Sequence, residues 1–461
     1  MARISEPFRF RYTGKQKANE SWGFLIDFGE QLAELRKRIR RIDKKYAREK
    51  TDPNSRSPQG RGTARAFIEE WASGEVVENE QGTHFRMERL YESHRRHGSA
   101  DVGALVELPA NLLDVLSEST MPIVSPERWA FLDTETTGLA GGSGTYAFLI
   151  GVGRITKQGF SIRQFFMREY SEEKSVLWAV SEHLNEFDVL ITYNGKAYDQ
   201  PLLETRYQMT RQKTPFGRLA HLDLLYGARR IWKLRYENCR LSFLENQVLG
   251  VERQGDLPGE LIPYVYFEYL RSGEARRLVP IFHHNAIDIL TLGCLSAIVP
   301  SAFRSSDPES LRALGLRRGE EYLGIARWFL SAGETEKALY LFRCAIEAGL
   351  PDSLLFSTLW ELARLERKAG RAFSSLSILS DLATSKNPYR ADALLELAKH
   401  YERLEPNYGL ALEFARQAMD LAPTEAIKRR VLRLEAKMTL VCNRPLRQRV
   451  GKRRKNQIEN N

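Results

Sequence analysis

Cysteine is scarce in this 461-residue chain: Cys239, Cys294, Cys344 and Cys442 lie far apart and form no CxxC pair. That spacing argues against a disulfide framework and a Cys-based zinc site, and it fits a reducing, cytoplasmic setting. Long apolar runs are missing too. No stretch reaches the roughly 18 continuous apolar residues of a membrane helix, and the opening "MARISEPFRF" lacks the apolar core of a secretory signal. There is no GxxxxGK[ST] nucleotide loop. The segment "GLAGGSG" at 138–144 is glycine-rich, but it joins two predicted strands and opens no helix, so it reads as a turn rather than a phosphate cradle. The expectation is a soluble cytoplasmic protein.

The 43% hydrophobic and 28% charged fractions are those of an ordinary globular chain, long enough for two or three domains. The net charge of +10 is unevenly spread. Residues 31–65 hold twelve Lys/Arg against four Asp/Glu, and residues 443–461 hold seven against one. Everything between and before these flanks is therefore slightly acidic. Clustered cations such as "ELRKRIRRIDKKYAREK" and "GKRRK" favour phosphate backbones, although a solvated helix and a disordered tail carry the same charge.

Four regions follow from the pattern. Residues 1–120 read as a basic, partly flexible lead-in, broken at "TDPNSRSPQGRG" and carrying no assignable chemistry. Residues 125–300 alternate between strand and helix signals in the order β-β-β-α-β-α-β-α, beginning with "WAFLD", "TYAFLIGVGRI" and "GFSIRQFFM". A meander followed by αβ crossovers predicts an α/β mixed sheet with helices on both faces. Residues 314–440 are helical throughout and recur with a period near the 34 residues of tetratricopeptide units. Small residues such as Ala326, Ala338, Ala363, Ala398 and Ala411 stand where paired helices would touch, and glycines Gly333 and Gly370 stand where they would turn. A plain helical bundle fits the same pattern. Residues 443–461 read as a basic disordered tail.

Chemistry concentrates on four carboxylates. Asp133 and Glu135 follow the apolar run "WAFL" at i and i+2, so both can project to one side. Asp199 falls where a helix starts after "DVLITYNG", and Asp288 interrupts an apolar helix among Ala286, Ile287, Ile289 and Leu290. Such groups are costly at a strand end or in a core unless compensated. Hard divalent cations with oxygen ligands are the natural compensation, and a pair of them forms the clamp used for in-line attack on phosphodiesters. Singly, "DTET" also suits a turn, Asp199 a helix N-cap, and "HNAID" a histidine satisfied on a helix face. Their joint occurrence in this order favours a shared site.

The segments "FLDTETTGL", "TYNGKAYD" and "HHNAID" resemble the three motifs of the DEDD superfamily of 3′–5′ exonucleases, on a ribonuclease H-like fold. The fuller pattern, including "GGSGTYAFLIGVG", "HLDLLYGARRIW" and "CRLSFLENQVLGVERQGDLPGELIPYVYFEYL", is similar to the YprB-type ribonuclease H-like family with tetratricopeptide-like repeats behind it. The resemblance implies that Asp133, Glu135, Asp199 and Asp288 bind two ions, Mg²⁺ or Mn²⁺, with Glu135 also near the attacking water. Asn194 would brace substrate or loop. The family's general base is a Tyr four residues before the last Asp or a His five before it; here His284 and His283 hold those places. Helical spacing puts His284 on the Asp288 face, and a neutral imidazole suits the task.

Weaker candidates are Thr134, Thr136 and Leu139 near a terminal nucleotide, Tyr193, Tyr198 and Trp232 as stacking rings, and Lys196 at a phosphate. Core packing and solvation account for the same residues. The implied function is a metal-dependent 3′–5′ exonuclease acting on DNA or RNA, with a possible protein partner at the helical repeats and no membrane. Its rivals are a non-catalytic nucleic-acid-binding scaffold and a structure-selective endonuclease.

Overall fold

The computed structural model describes residues 68–116, 121–138 and 144–442. The basic flanks, Leu139 and most of the glycine-rich turn fall outside them. The described residues build a seven-stranded mixed sheet: β1 Gly74–Asn79, β2 Gly82–Glu92, β3 Trp129–Thr136, β4 Ala147–Thr156, β5 Gly159–Phe166, β6 Val189–Thr192 and β7 Ala220–Asp223. Their order across the sheet is β1-β2-β5-β4-β3-β6-β7. The pairs β3–β6 and β6–β7 run parallel, and the others antiparallel.

From Trp129 onward the succession of strands and helices is the one the sequence predicts. Strands β1 and β2 were not predicted and lie inside the stretch read as a lead-in. The reason is visible in their composition. β1 is an exposed edge strand, and β2, "GTHFRMERLYE", carries Arg and Glu among its apolar residues, so neither shows a clean alternation.

Helices cover both faces of the sheet. On β5, Arg163 and Phe165 meet His183 of helix α1 (Glu173–Leu184). Gln164, between them in sequence, points the opposite way to helix α5 (Val279–Arg304). Burial on both sides is why "WAFL" and "AFLIGVG" are buried without alternation. Glycines in β4 let α5 come close. A Cβ on Gly151 would stand 2.3 Å from Asn285 Oδ1, and one on Gly153 2.5 Å from Ile289 Cγ2.

Helix α2 spans Asp199–Met209, α3 Leu224–Trp232 and α4 Ile262–Ser272. With the turn before it, α5 is long and apolar enough to cross a membrane, but 72% of that stretch is buried inside the protein, as befits a core helix.

An all-helical region follows, as expected. After α6 (Pro308–Ala313), α7 (Gly319–Ser331) packs on α8 (Thr335–Glu347), α9 (Asp352–Lys368) on α10 (Ala372–Thr384), and α11 (Arg390–Arg403) on α12 (Tyr408–Leu421). Helix α13 (Glu425–Cys442) closes the series. Gly333 and Gly370 turn the first two pairs with φ of 81° and 78°. Helix α7 seats directly on α3: a Cβ on Gly324 would lie 2.1 Å from the Arg230 carbonyl oxygen. Ile231, Val299, Phe303, Leu323 and Phe329 belong to one continuous apolar core. Cys239, Cys294 and Cys344 are free and buried.

Candidate active site

Asp133 and Glu135 lie within β3 rather than just past it, opposite Gly151 and Leu149 of β4. The register shifts between Glu135 and Thr136, an irregularity that ends the ladder beside the two acids. The parallel neighbour β6 stops at Thr192, and the chain turns through Asn194 at φ 69° before α2 starts on Asp199. Helix α5 crosses behind the same strand ends and supplies His284, Asn285 and Asp288.

Direct contacts tie these elements together. The Thr134 hydroxyl donates to Asp199 at 2.5 Å. The Asn285 side-chain amide donates to Asp133 Oδ2 at 2.8 Å, and Asn285 Oδ1 in turn accepts from buried Gln164 at 2.8 Å. Gln164 also donates to the Phe282 carbonyl at 2.9 Å. His284 Nδ1 stands 2.9 Å and 3.0 Å from the two oxygens of Asp256, while its Nε2 lies 3.5 Å from Asp288 Oδ2. A carboxylate accepts only, so Nδ1 carries the proton and Nε2 of the neutral ring presents a lone pair towards Asp288. Arg253 donates to Asp288 and to buried Glu245, and reaches Asp256 at 3.2 Å.

The electrostatics are those of an acid cluster with too little positive charge. Loss of water pushes Asp133 well above the usual carboxylate range, and the charges of Asp288 and Asp199 push it further; Asn285 and Arg253 offset only part of this. Glu135 is raised well above its ordinary value by burial and then by Asp133, Asp288, Asp199 and Asp256. Burial brings Asp199 up to about 6 against the Thr134 hydrogen bond. Burial pulls the His284 imidazole down, but the Asp256 hydrogen bond and the Asp288 and Asp256 charges outweigh it and leave it raised. Burial lifts Asp256, yet His284 and Arg253 together hold it below the ordinary value.

The structure thus brings Asp133, Glu135, Asp199 and Asp288 into mutual electrostatic range at the carboxyl ends of β3 and β6, with His284 beside Asp288. His283, the neighbouring residue on α5, is exposed. The weaker candidates fall in different surroundings. Trp232 is fully buried in the core and cannot stack on a base. Thr134 is taken up by Asp199, and the Thr136 hydroxyl donates to the Gly138 carbonyl at 2.8 Å. The Tyr193 hydroxyl donates to the Cys239 carbonyl. Tyr198 and Lys196 are exposed. Asp256, Arg253, Asn285 and Gln164 were not singled out from the sequence. The usable signal was a polar residue inside the apolar α5, three before Asp288.

A family model described as the RNase_H superfamily matches residues 130–299, the span from β3 through most of α5 that holds all four acids. The uncharacterized protein YprB of Bacillus subtilis (strain 168) is 32% identical over 317 residues, covering 67% of this chain and 74% of that protein. This chain belongs to the family of YprB, and its residues 130–299 are an RNase_H-superfamily domain. For an RNase_H-superfamily chain a nuclease-type function is the one the family suggests, and nucleic acid the suggested ligand.

The donor chemistry suits hard divalent cations: half-buried carboxylates that repel one another, with Arg253 as the neighbouring positive charge. As the side chains stand, no group of three or more His, Cys, Asp or Glu among the described residues is arranged to hold an ion. Arg253 holds Asp288 in place of one.

Proposed function

We propose that this protein is a metal-dependent nuclease, specifically a 3′–5′ exonuclease that hydrolyses phosphodiester bonds. The observation that carries the reading is the meeting of four acids from β3, α2 and α5 with a histidine one helical turn before the last of them. Asp133, Glu135, Asp199 and Asp288 would hold two ions, Mg²⁺ or Mn²⁺, which when bound lower the pKa of attacking water and neutralise charge on the leaving oxygen.

The chain's own residues do the rest. Gln164 fixes Asn285, which aims one oxygen of Asp133. Thr134 orients Asp199. Asp256 holds His284 in the tautomer whose Nε2 accepts a proton from water, so His284 serves as general base. The half-buried setting of these groups strengthens every charge interaction with a phosphate. We further propose that the C-terminal helices over 314–440 are tetratricopeptide-like and offer a protein-binding face, and that the protein works in the cytoplasm.

A second reading has its own support. Arg253 already supplies a cation to Asp288, as a non-catalytic scaffold that binds nucleic acid and docks partners through its helices would retain. The two are separated by incubating end-labelled single- and double-stranded DNA and RNA with Mg²⁺ or Mn²⁺. The exonuclease reading expects stepwise release from free 3′ ends and none from blocked ends. Asp133→Ala and Asp288→Ala should each lose about 10³-fold in rate or more, the scale of removing a transition-state contact, with melting temperatures near wild type. Wild-type cleavage by either variant overturns the site; no cleavage of any substrate favours the scaffold; cleavage of end-blocked strands identifies an endonuclease.

A further inference from the structure

The loop after β6, helix α3 and residues 237–241 line a cleft of about 640 Å³. Its polar wall is made by Asn194, Arg229, Lys233, Glu237, Asn238 and Arg240. Three cations face one acid there. Arg229 and Lys233 are both exposed, and they sit four residues apart on one face of α3 and its end, where like charges repel. Among the described residues none of Arg229, Lys233 and Arg240 makes an ion pair. On the same domain Arg128, Arg154 and Arg163 each hold a carboxylate. Unpaired cations crowded into a concave wall indicate a site shaped for a polyanion.

The cleft is rigidly linked to the acids. The Asp223 carboxylate accepts from the Asn194 and Lys196 backbone amides at 2.7 Å and 3.1 Å, and from Leu225 at the start of α3 at 3.1 Å. Asn194 thus lines the cleft while its loop runs directly into Asp199. The backbone amide of Gln200 closes that turn on the Gly195 carbonyl at 2.9 Å. One large ring stands in solvent along this path: Tyr198 is 60% exposed. Nothing in the packing explains an uncovered tyrosine on the loop that leads on from three uncovered cations. Stacking of unpaired bases does.

We propose that the cleft between loop 193–198 and α3 is the track for a single-stranded polynucleotide, with Arg229, Lys233 and Arg240 on its phosphates and Tyr198 against a base. This deepens the nuclease reading and rests on it for the direction in which the strand runs, but the binding itself requires no cleavage. The strand leaves the track over Asn194 and arrives at Asp199.

The test is fluorescence anisotropy on the full chain in EDTA, where nothing is cleaved, with fluorescein-labelled oligo-dT and oligo-U of about 20 nucleotides and a duplex of equal length. The R229A/K233A/R240A variant should bind single strands at least tenfold more weakly, and its log–log salt slope should fall by about 2, as for three lost phosphate contacts. Tyr198→Ala should weaken single-strand binding and leave duplex binding unchanged. All four side chains are solvent-exposed, so melting temperatures should stay at the wild-type value. An unchanged affinity and salt slope in the triple variant overturns the track, and so does wild-type protein that binds no single strand. A wild type that binds through these residues yet never cleaves keeps the track and discards the nuclease reading; cleavage with track-independent binding does the opposite.

Discussion

At the scale of single residues, Glu135 reports the strain of the acid cluster most simply, because among the described residues no hydrogen bond holds its side chain. Its carboxyl is raised above the ordinary value by burial and by four neighbouring acids. An acid raised in the folded state contributes stability that is complete below its unfolded pKa and is lost as pH rises through the folded one. Metal-free wild type should therefore lose stability as pH climbs above the ordinary carboxylate range. Glu135→Gln should melt about 2–4 °C higher than wild type at pH 7 in EDTA, with the gap closing towards pH 4. Calorimetry across that range checks it; a constant gap would locate the effect in packing instead.

Asp256 tests the other half of the proposed site. As a group that acts through His284, its removal should cost about 10–100-fold in activity. In Asp256→Asn the imidazole loses the partner that raises it. A base whose pKa falls stays neutral to lower pH, so the acid limb of the pH–rate profile should move down. An unmoved limb with reduced rate would mean that Asp256 only supports Arg253 and the fold.

At the scale of elements, what could be read from sequence followed how strongly each segment's burial is written in its composition. β3 to β5 are covered by helices on both faces, so "WAFL" and "AFLIGVG" are unbroken apolar runs and were recognised. The β1–β2 hairpin sits at the sheet edge with charges interleaved and was not. The acids were legible because a carboxylate beside an apolar run violates local expectation, and helical spacing singled out His284 over His283. Asp256 and Arg253 were not, since they lie in the irregular stretch between residue 249 and α4. Nothing local distinguishes a loop Asp or Arg that reaches α5 from one that faces water. Gly151 was legible only as a glycine; its reason, the Asn285 side chain 2.3 Å from where a Cβ would stand, depends on a helix more than 130 residues later.

At the scale of the molecule, α5 belongs to two regions at once. Its first half carries His284 and Asp288, and its second half, through Val299 and Phe303, joins the core that continues into α7. Gly324→Val places a side chain against the Arg230 carbonyl and should destabilise the fold by about 2 kcal/mol, an ordinary penalty for overpacking. Because the core runs unbroken from the sheet into α7 and α8, these should unfold in one transition together with the loss of activity, whereas the later helices have apolar clusters of their own. Activity lost in a transition separate from that of α7 and α8 would show that the helical series melts alone.

One consequence of that shared helix concerns leverage. A ligand pulling on the helical series would act, through α7 and the core it shares with α5, on one end of a long helix whose other end bears the catalytic candidates. Cargo bound far from the acids would therefore be felt there as a shift of Asp288 relative to β3.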